Sequence, residues 1–122
     1  MILADTSVWI AHFRRGSASF ARQLEAGEVA THIVVVGELA TGNLLHRHET
    51  LAALRRLPRV KEGTSDECFA YLETYRLFGI GIGWNDIQLL VAAQLSQARL
   101  WSLDRPLAMA AKKLDLLFVD EE

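Results

Sequence analysis

The chain opens with a short apolar run that stops at a carboxylate. Residues 2–4 are apolar, Asp5 follows them, and apolar residues at helical spacing begin at Val8. A short run without polar alternation predicts a strand buried on both faces, as in a parallel sheet. Asp5 would then lie at the carboxyl end of that strand, which is the edge where open α/β sheets bind ligands.

The pattern along the rest of the chain predicts alternating helices and strands. Helices are expected over about 8–15, 18–26, about 32–45, 50–57, 66–78, 84–98 and 105–113, and strands over 29–31, 59–61, 99–103 and 116–119. Thr6 or Ser7, Ser65 and Asn85 are expected as helix caps, and Phe69 is expected to face inward. Such alternation predicts a central parallel sheet with helices on both faces. We therefore expect one domain of the α/β class over residues 1–122, with three layers (α/β/α).

Composition narrows the class of protein. The chain has 122 residues, of which 51% are hydrophobic, so it can build a core without disulfides or metals. A formal net charge of −2 excludes a protein that coats nucleic acid through bulk positive charge. One cysteine and no apolar run of membrane-spanning length predict a cytoplasmic protein without a membrane segment. The amino end also lacks the basic region of a signal peptide.

Four carboxylates stand out from this background: Asp5, Glu38, Asp86 and Asp104. Asp5 and Asp104 both follow predicted strands, and Asp86 begins a predicted buried helix. Carboxylates gathered at one sheet edge would repel each other, and a divalent cation with hard oxygen ligands, such as Mg²⁺ or Mn²⁺, would relieve that repulsion. Taken singly, each aspartate could instead cap a helix or lie in its first turn. Glu38 lies inside an apolar helix, where a carboxylate is paired or faces solvent.

Four segments around these carboxylates resemble a known family. The run 2–10, with Asp5-Thr6-Ser7, resembles the opening of PIN-domain ribonucleases of the VapC toxin type. The other three segments, 36–42, 85–93 and 100–107, resemble the family's second, third and fourth motifs in the right order. Polar Asn85 and Gln88 depart from the third motif, and Ser102 stands where threonine is common in the fourth.

The resemblance implies a compact PIN-like α/β/α fold and a Mg²⁺- or Mn²⁺-dependent endoribonuclease. It implies that Asp5, Asp86, Asp104 and Glu38 bind metal and catalyse hydrolysis, and that Thr6 and Ser102 hold carboxylates in place. It also implies RNA as substrate and a toxin inhibited by a cognate antitoxin. A homodimer is implied as well, with operator DNA bound only through the antitoxin.

Three other interpretations remain to be weighed. A PIN-fold nuclease outside toxin–antitoxin systems would carry the same carboxylates, and a non-catalytic α/β binding module would use them as caps. A receiver-like or phosphatase-like domain is disfavoured, because Asp5 has no paired acid beside it and Lys112 and Lys113 lie inside a predicted helix.

An antitoxin could pack on an apolar surface formed by Trp9, Phe13, Leu51 and Leu54, although these side chains could equally be core.

Overall fold

The computed structural model describes residues 1–120 and contains a small sheet surrounded by helices. The strands are β1 (Ile2–Ala4), β2 (Val29–Ala30) and β3 (Arg99–Trp101). The helices are α1 (Thr6–Arg15), α2 (Ala18–Glu25), α3 (Ile33–Ala40), α4 (Arg47–Arg56), α5 (Ser65–Thr74), α6 (Trp84–Ser96) and α7 (Arg105–Lys113). The strands are parallel in the order β2-β1-β3. The predicted α/β/α fold with a central parallel sheet is confirmed.

The first strand lies at the centre of the sheet and of the core. Leu3 and Ala4 are fully buried, and so is Leu100, which pairs with Leu3 in β3. Helix α6 packs on β3 and buries most of its apolar residues, among them Leu90 and Ala93. Each fully buried leucine contributes roughly 2 kcal/mol through removal of apolar surface from water. The doubly buried first strand and the buried helix were both predicted correctly.

The predicted helix over 32–45 is wrong in its length, because it ends at Ala40 and α4 begins at Arg47. The Arg47 guanidinium donates to the carbonyl oxygens of Ala40, at 2.5 Å, and of Gly42, at 3.3 Å. These bonds satisfy carbonyl groups that a continuing helix would have used. His46, before α4, has a positive φ of 49°, which interrupts helical geometry between the two helices.

The predicted strands over 59–61 and 116–119 are reduced to single parallel bridges, Thr31 with Arg59 and Leu100 with Leu117. The position of each segment beside the sheet was therefore predicted correctly, but its length as a strand was not.

Two predicted caps and one predicted core residue in α5 and α6 are wrong. Thr64 rather than Ser65 caps α5, and it forms a reciprocal capping box with Glu67. Gly83 rather than Asn85 precedes α6. Phe69 is 55% exposed, with its ring 4.6 Å from that of Trp84, because Cys68 occupies the inward position of α5 and is buried. Among residues 1–120, no helix combines the length and the apolar character needed to cross a membrane.

Candidate functional site

Asp5 connects the central strand to the first helix. It follows β1 and caps α1, where Thr6 or Ser7 had been expected, by accepting a hydrogen bond from the Val8 amide at 3.2 Å. The same oxygen, Oδ1, accepts from Ser7 Oγ at 2.5 Å, and Oδ2 accepts from Ser102 Oγ at 2.5 Å. Burial raises the pKa of Asp5, and the hydrogen bonds from Ser102 and Ser7 partly oppose that rise. Both carboxylate oxygens are thus held in place.

The two serines also bind the segment that follows β3. Ser7 Oγ accepts from the Leu103 amide at 2.9 Å, and Ser102 Oγ accepts from the Asp104 amide at 3.0 Å. Each hydroxyl therefore accepts from one segment and donates its proton to Asp5. Ser7 was not among the predicted site residues. Its position two residues after a strand-ending carboxylate was visible in the sequence, but the amide it accepts from lies 96 residues further along.

The other three carboxylates share a simpler pattern. One oxygen of each accepts a local hydrogen bond: Asp104 Oδ2 from the Leu107 amide at 3.2 Å, Asp86 Oδ2 from the Gly83 amide at 3.1 Å, and Glu38 Oε1 from Thr6 Oγ1 at 2.7 Å. The second oxygen of each accepts no hydrogen bond from residues 1–120. Asp104 and Glu38 are exposed, and Asp86 is half-buried. One oxygen positions each side chain and leaves the other free for a ligand.

The other three carboxylates act electrostatically on Asp86. The pKa of Asp86 is raised, first by burial and then by the negative charges of Asp104, Asp5 and Glu38, while the hydrogen bond from Gly83 opposes the rise. Asp104, Asp5 and Glu38 therefore all lie within electrostatic range of Asp86.

The donor set matches the chemistry of a hard divalent cation. It consists of carboxylate oxygens, the ligands preferred by Mg²⁺ and Mn²⁺. Burial is the main cause of the raised pKa of Asp86, and the repulsion that adds to it is the kind that a bound cation relieves. Within residues 1–120, however, no three histidine, cysteine, aspartate or glutamate side chains are grouped closely enough to hold a metal ion as they stand.

Comparison with known proteins identifies the class. A PIN-domain family model matches residues 2–113, a range that contains all four carboxylates. The chain belongs to the PIN-domain family, as its motifs had predicted. Ribonuclease VapC32, from two strains of Mycobacterium tuberculosis, is 36% identical over 122 residues, which are 99% of this chain and 98% of the relative.

A solved structure agrees on the fold. The crystal structure of PAE2754 from Pyrobaculum aerophilum superposes with a TM-score of 0.59, covering 88% of this chain and 77% of that protein. Its sequence is 17% identical, so the similarity concerns the fold alone.

Proposed function

We propose that this protein is a metal-dependent endoribonuclease and the toxin of a type II toxin–antitoxin pair. The observation that carries the proposal is that three carboxylates of a PIN domain, Asp104, Asp5 and Glu38, act electrostatically on a fourth, Asp86. Similarity to Ribonuclease VapC32 along the whole chain supports RNA as the substrate. The reaction would be hydrolysis of a phosphodiester bond.

Each carboxylate has a proposed role. Asp5 and Asp104 would be the main ligands of Mg²⁺ or Mn²⁺, with Asp86 binding directly or through water. A bound cation would supply a more acidic water and neutralise charge on the phosphoryl oxygens. Glu38 would bind a second cation or orient the attacking water through the oxygen that Thr6 leaves free. Ser102 holds Asp5 in the orientation that its role requires.

The test is cleavage of a single-stranded RNA by the purified protein. EDTA should stop cleavage, and Mg²⁺ or Mn²⁺ should restore it. Asp104→Asn should lower the rate by roughly a hundredfold or more, the scale of losing one charge-stabilising group. Asparagine is also a good helix cap, so α7 should stay folded. Asp66→Asn, in the exposed first turn of α5, is the matched control. Cleavage that persists in EDTA would contradict the proposal.

The same assay tests the main alternative. Asp5 and Asp104 cap helices and Asp86 bonds back to Gly83, which also suits a non-catalytic α/β binding module. Such a module would leave RNA intact under every metal condition. A PIN-fold nuclease outside toxin–antitoxin systems would cleave RNA without inhibiting growth when expressed alone.

The partner would be a cognate antitoxin bound in an apolar groove. A groove of about 340 Å³ is lined mainly by residues of α1 and α4, among them Trp9, Phe13 and Leu54, and by Leu57 just after α4. Trp9 and Leu54 are core residues, whereas Phe13 is 41% exposed and Leu51 lies outside the groove lining. An apolar antitoxin segment would cover Phe13 and bring a basic side chain to the carboxylates.

Phe13→Ala should therefore weaken antitoxin capture with little change in melting temperature. Val119→Ala, at a side chain that is 66% exposed and lines neither this groove nor another cleft, is the control. Full capture by the Phe13 variant would contradict this placement.

Two further proposals follow from the family resemblance. The protein would form a homodimer, for which the exposed rings of Phe69, Phe78 and Trp84 offer apolar surface. Operator DNA would be bound only through the antitoxin. Sedimentation of the toxin alone tests the first proposal, and DNA binding by toxin with and without antitoxin tests the second.

A further inference from the structure

A second cleft begins beside the carboxylates. It has a volume of about 490 Å³ and lies between residues 75–80 and helix α7. The first side is lined by Tyr75, Arg76, Leu77 and Ile80, and the α7 side by Arg105, Pro106, Met109, Ala110, Lys113 and Leu114. Arg105 directly follows Asp104 in the chain, so one end of the cleft adjoins the proposed active site.

The charges that line this cleft all have the same sign. Arg76, Arg105 and Lys113 are exposed, and no carboxylate contributes to the lining. None of the three cations forms an ion pair or a side-chain hydrogen bond with residues 1–120. In a chain with a formal net charge of −2, three unpaired cations around one cleft form a local anion-attracting surface.

The walls between these charges are apolar and accessible. Tyr75 and Met109 are each 51% exposed and Ile80 is 45% exposed. The ring of Tyr75 packs 4.7 Å from that of Tyr71, which limits its orientations. An ordered aromatic ring beside aliphatic surface is suited to stacking against the face of a nucleobase.

The backbone keeps the two sides of the cleft close together. Gly81 has a φ of 88°, a backbone conformation that residues with a side chain rarely adopt. A Cβ atom built at Gly81 would lie 3.5 Å from ring carbons of Pro106. The turn before α6 thus packs on the first turn of α7. The cleft is therefore formed by packed elements of the fold.

We propose that this cleft binds the single-stranded RNA segment adjoining the scissile phosphate. Arg105 and Lys113, with Arg76 opposite them, would contact successive phosphates, and a base would stack on Tyr75. Charge complementarity favours RNA over a peptide, because the cleft joins unpaired cations to an aromatic surface and ends at the carboxylates proposed to cleave a phosphodiester. This inference rests on the proposed function and specifies where its substrate lies.

Fluorescence anisotropy with a labelled single-stranded RNA tests the inference directly. The full chain is titrated in EDTA, which prevents cleavage under the proposed function, over a series of salt concentrations. The double variant Arg105→Gln/Lys113→Gln should weaken binding about tenfold at low salt. It should also reduce the slope of log K against log salt by about 1.4, which corresponds to two lost contacts with single-stranded phosphates.

Two controls separate the cleft from general charge. Arg55→Gln/Arg56→Gln removes the same charge from exposed positions in α4 and should change the salt slope little. Tyr75→Ala should weaken binding while leaving the salt slope unchanged, because stacking releases no counterions. Melting curves of all variants confirm that each is folded.

The remaining outcomes are decisive. If the cleft and α4 double variants lose RNA affinity equally, RNA responds to the overall charge of the protein rather than to the cleft, and the inference is overturned. Unchanged RNA binding with a changed dimer mass or weaker antitoxin capture would assign the cleft to a second copy or to the antitoxin, and would also overturn it. If the unmodified protein cleaves RNA while the cleft variants bind it normally, only this inference fails. If the unmodified protein neither binds nor cleaves RNA, the proposed function fails.

Discussion

Asp5 and Asp104 occupy equivalent places, each at the carboxyl end of a strand and at the cap of a helix, yet their surroundings differ. Asp5 is 5% exposed and has both oxygens bonded to serines or to the α1 backbone. Asp104 is exposed, and its second oxygen accepts nothing from residues 1–120. One carboxylate is fixed by the fold and the other can adjust to a ligand.

The structure shows that helix capping and metal binding are compatible at the same aspartate. Capping a helix and binding a metal were treated as competing explanations for each aspartate. The capping contact of Asp104 uses Oδ2, and that of Asp86 to Gly83 also uses Oδ2. Oδ1 of each remains available, so one side chain can serve both purposes.

The largest expected effect comes from loosening the fixed carboxylate. Ser102→Ala leaves Asp5 Oδ2 buried without its donor and removes the acceptor of the Asp104 amide. We expect a loss of about 1–3 kcal/mol in the free energy of unfolding and a roughly 10- to 100-fold slower RNA cleavage. Urea denaturation and the cleavage assay measure the two effects.

Thr6→Val is the matched control for that prediction, because it removes the donor to exposed Glu38. Water can replace this donor, so the free energy of unfolding should change by less than about 0.5 kcal/mol. If Ser102→Ala and Thr6→Val lose equal stability, the fold does not hold Asp5 more firmly than an exposed carboxylate such as Glu38.

A smaller effect should separate the two adjustable aspartates. Asp104→Ala removes the cap of α7 and should cost roughly 0.5–2 kcal/mol in EDTA. Asp86→Ala also loses a backbone contact, but it relieves repulsion from three carboxylates, so its net cost should be smaller. Both variants should reduce the rise in melting temperature that Mg²⁺ causes by binding the native state. If the unmodified protein shows no such rise, the carboxylates serve only as caps and first-turn contacts.

The smallest effect concerns pH. The pKa of Asp86 is raised in the fold from 3.8, so its ionised form is disfavoured there. Its contribution to stability is fully present below pH 3.8 and is lost as pH rises through the folded pKa. In EDTA, the melting temperature of Asp86→Asn should therefore exceed that of the unmodified protein by the largest margin near pH 7. That margin should shrink as the pH is lowered. A difference in melting temperature that does not vary with pH would contradict the raised pKa.

Much of the fold could be predicted because local patterns determine it. The apolar run at 2–4 and the apolar helix α6 can be buried only against other elements, and their periodicity is readable without the structure. The end of α3 could not be predicted, because apolar spacing continues through Leu44 while bonds from Arg47 end the helix at Ala40.

The sequence predicted which carboxylates belong to the candidate site, but it did not predict the hydrogen bonds that hold them. Asp5 and Asp104 could be predicted to lie at one edge of the sheet, because both follow strands and the carboxyl ends of parallel strands share an edge. The hydrogen bonds that distinguish them join residues almost a hundred positions apart, as in Ser7 to Leu103 and Ser102 to Asp5. No local pattern of hydrophobic and polar residues carries that information.

The position of β1 in the centre of the sheet has a consequence for synthesis of the chain. Strand β1 is translated well before β3, its partner on one side, which begins only at Arg99. Pairing across so many residues is intrinsically slow, because the loop must close before its contacts are gained. A nascent or truncated chain that ends before β3 has Asp5 but lacks Ser102 and Asp104. The carboxylate edge can therefore be assembled only after Asp104 has been translated, and chains that end before that residue lack the complete site.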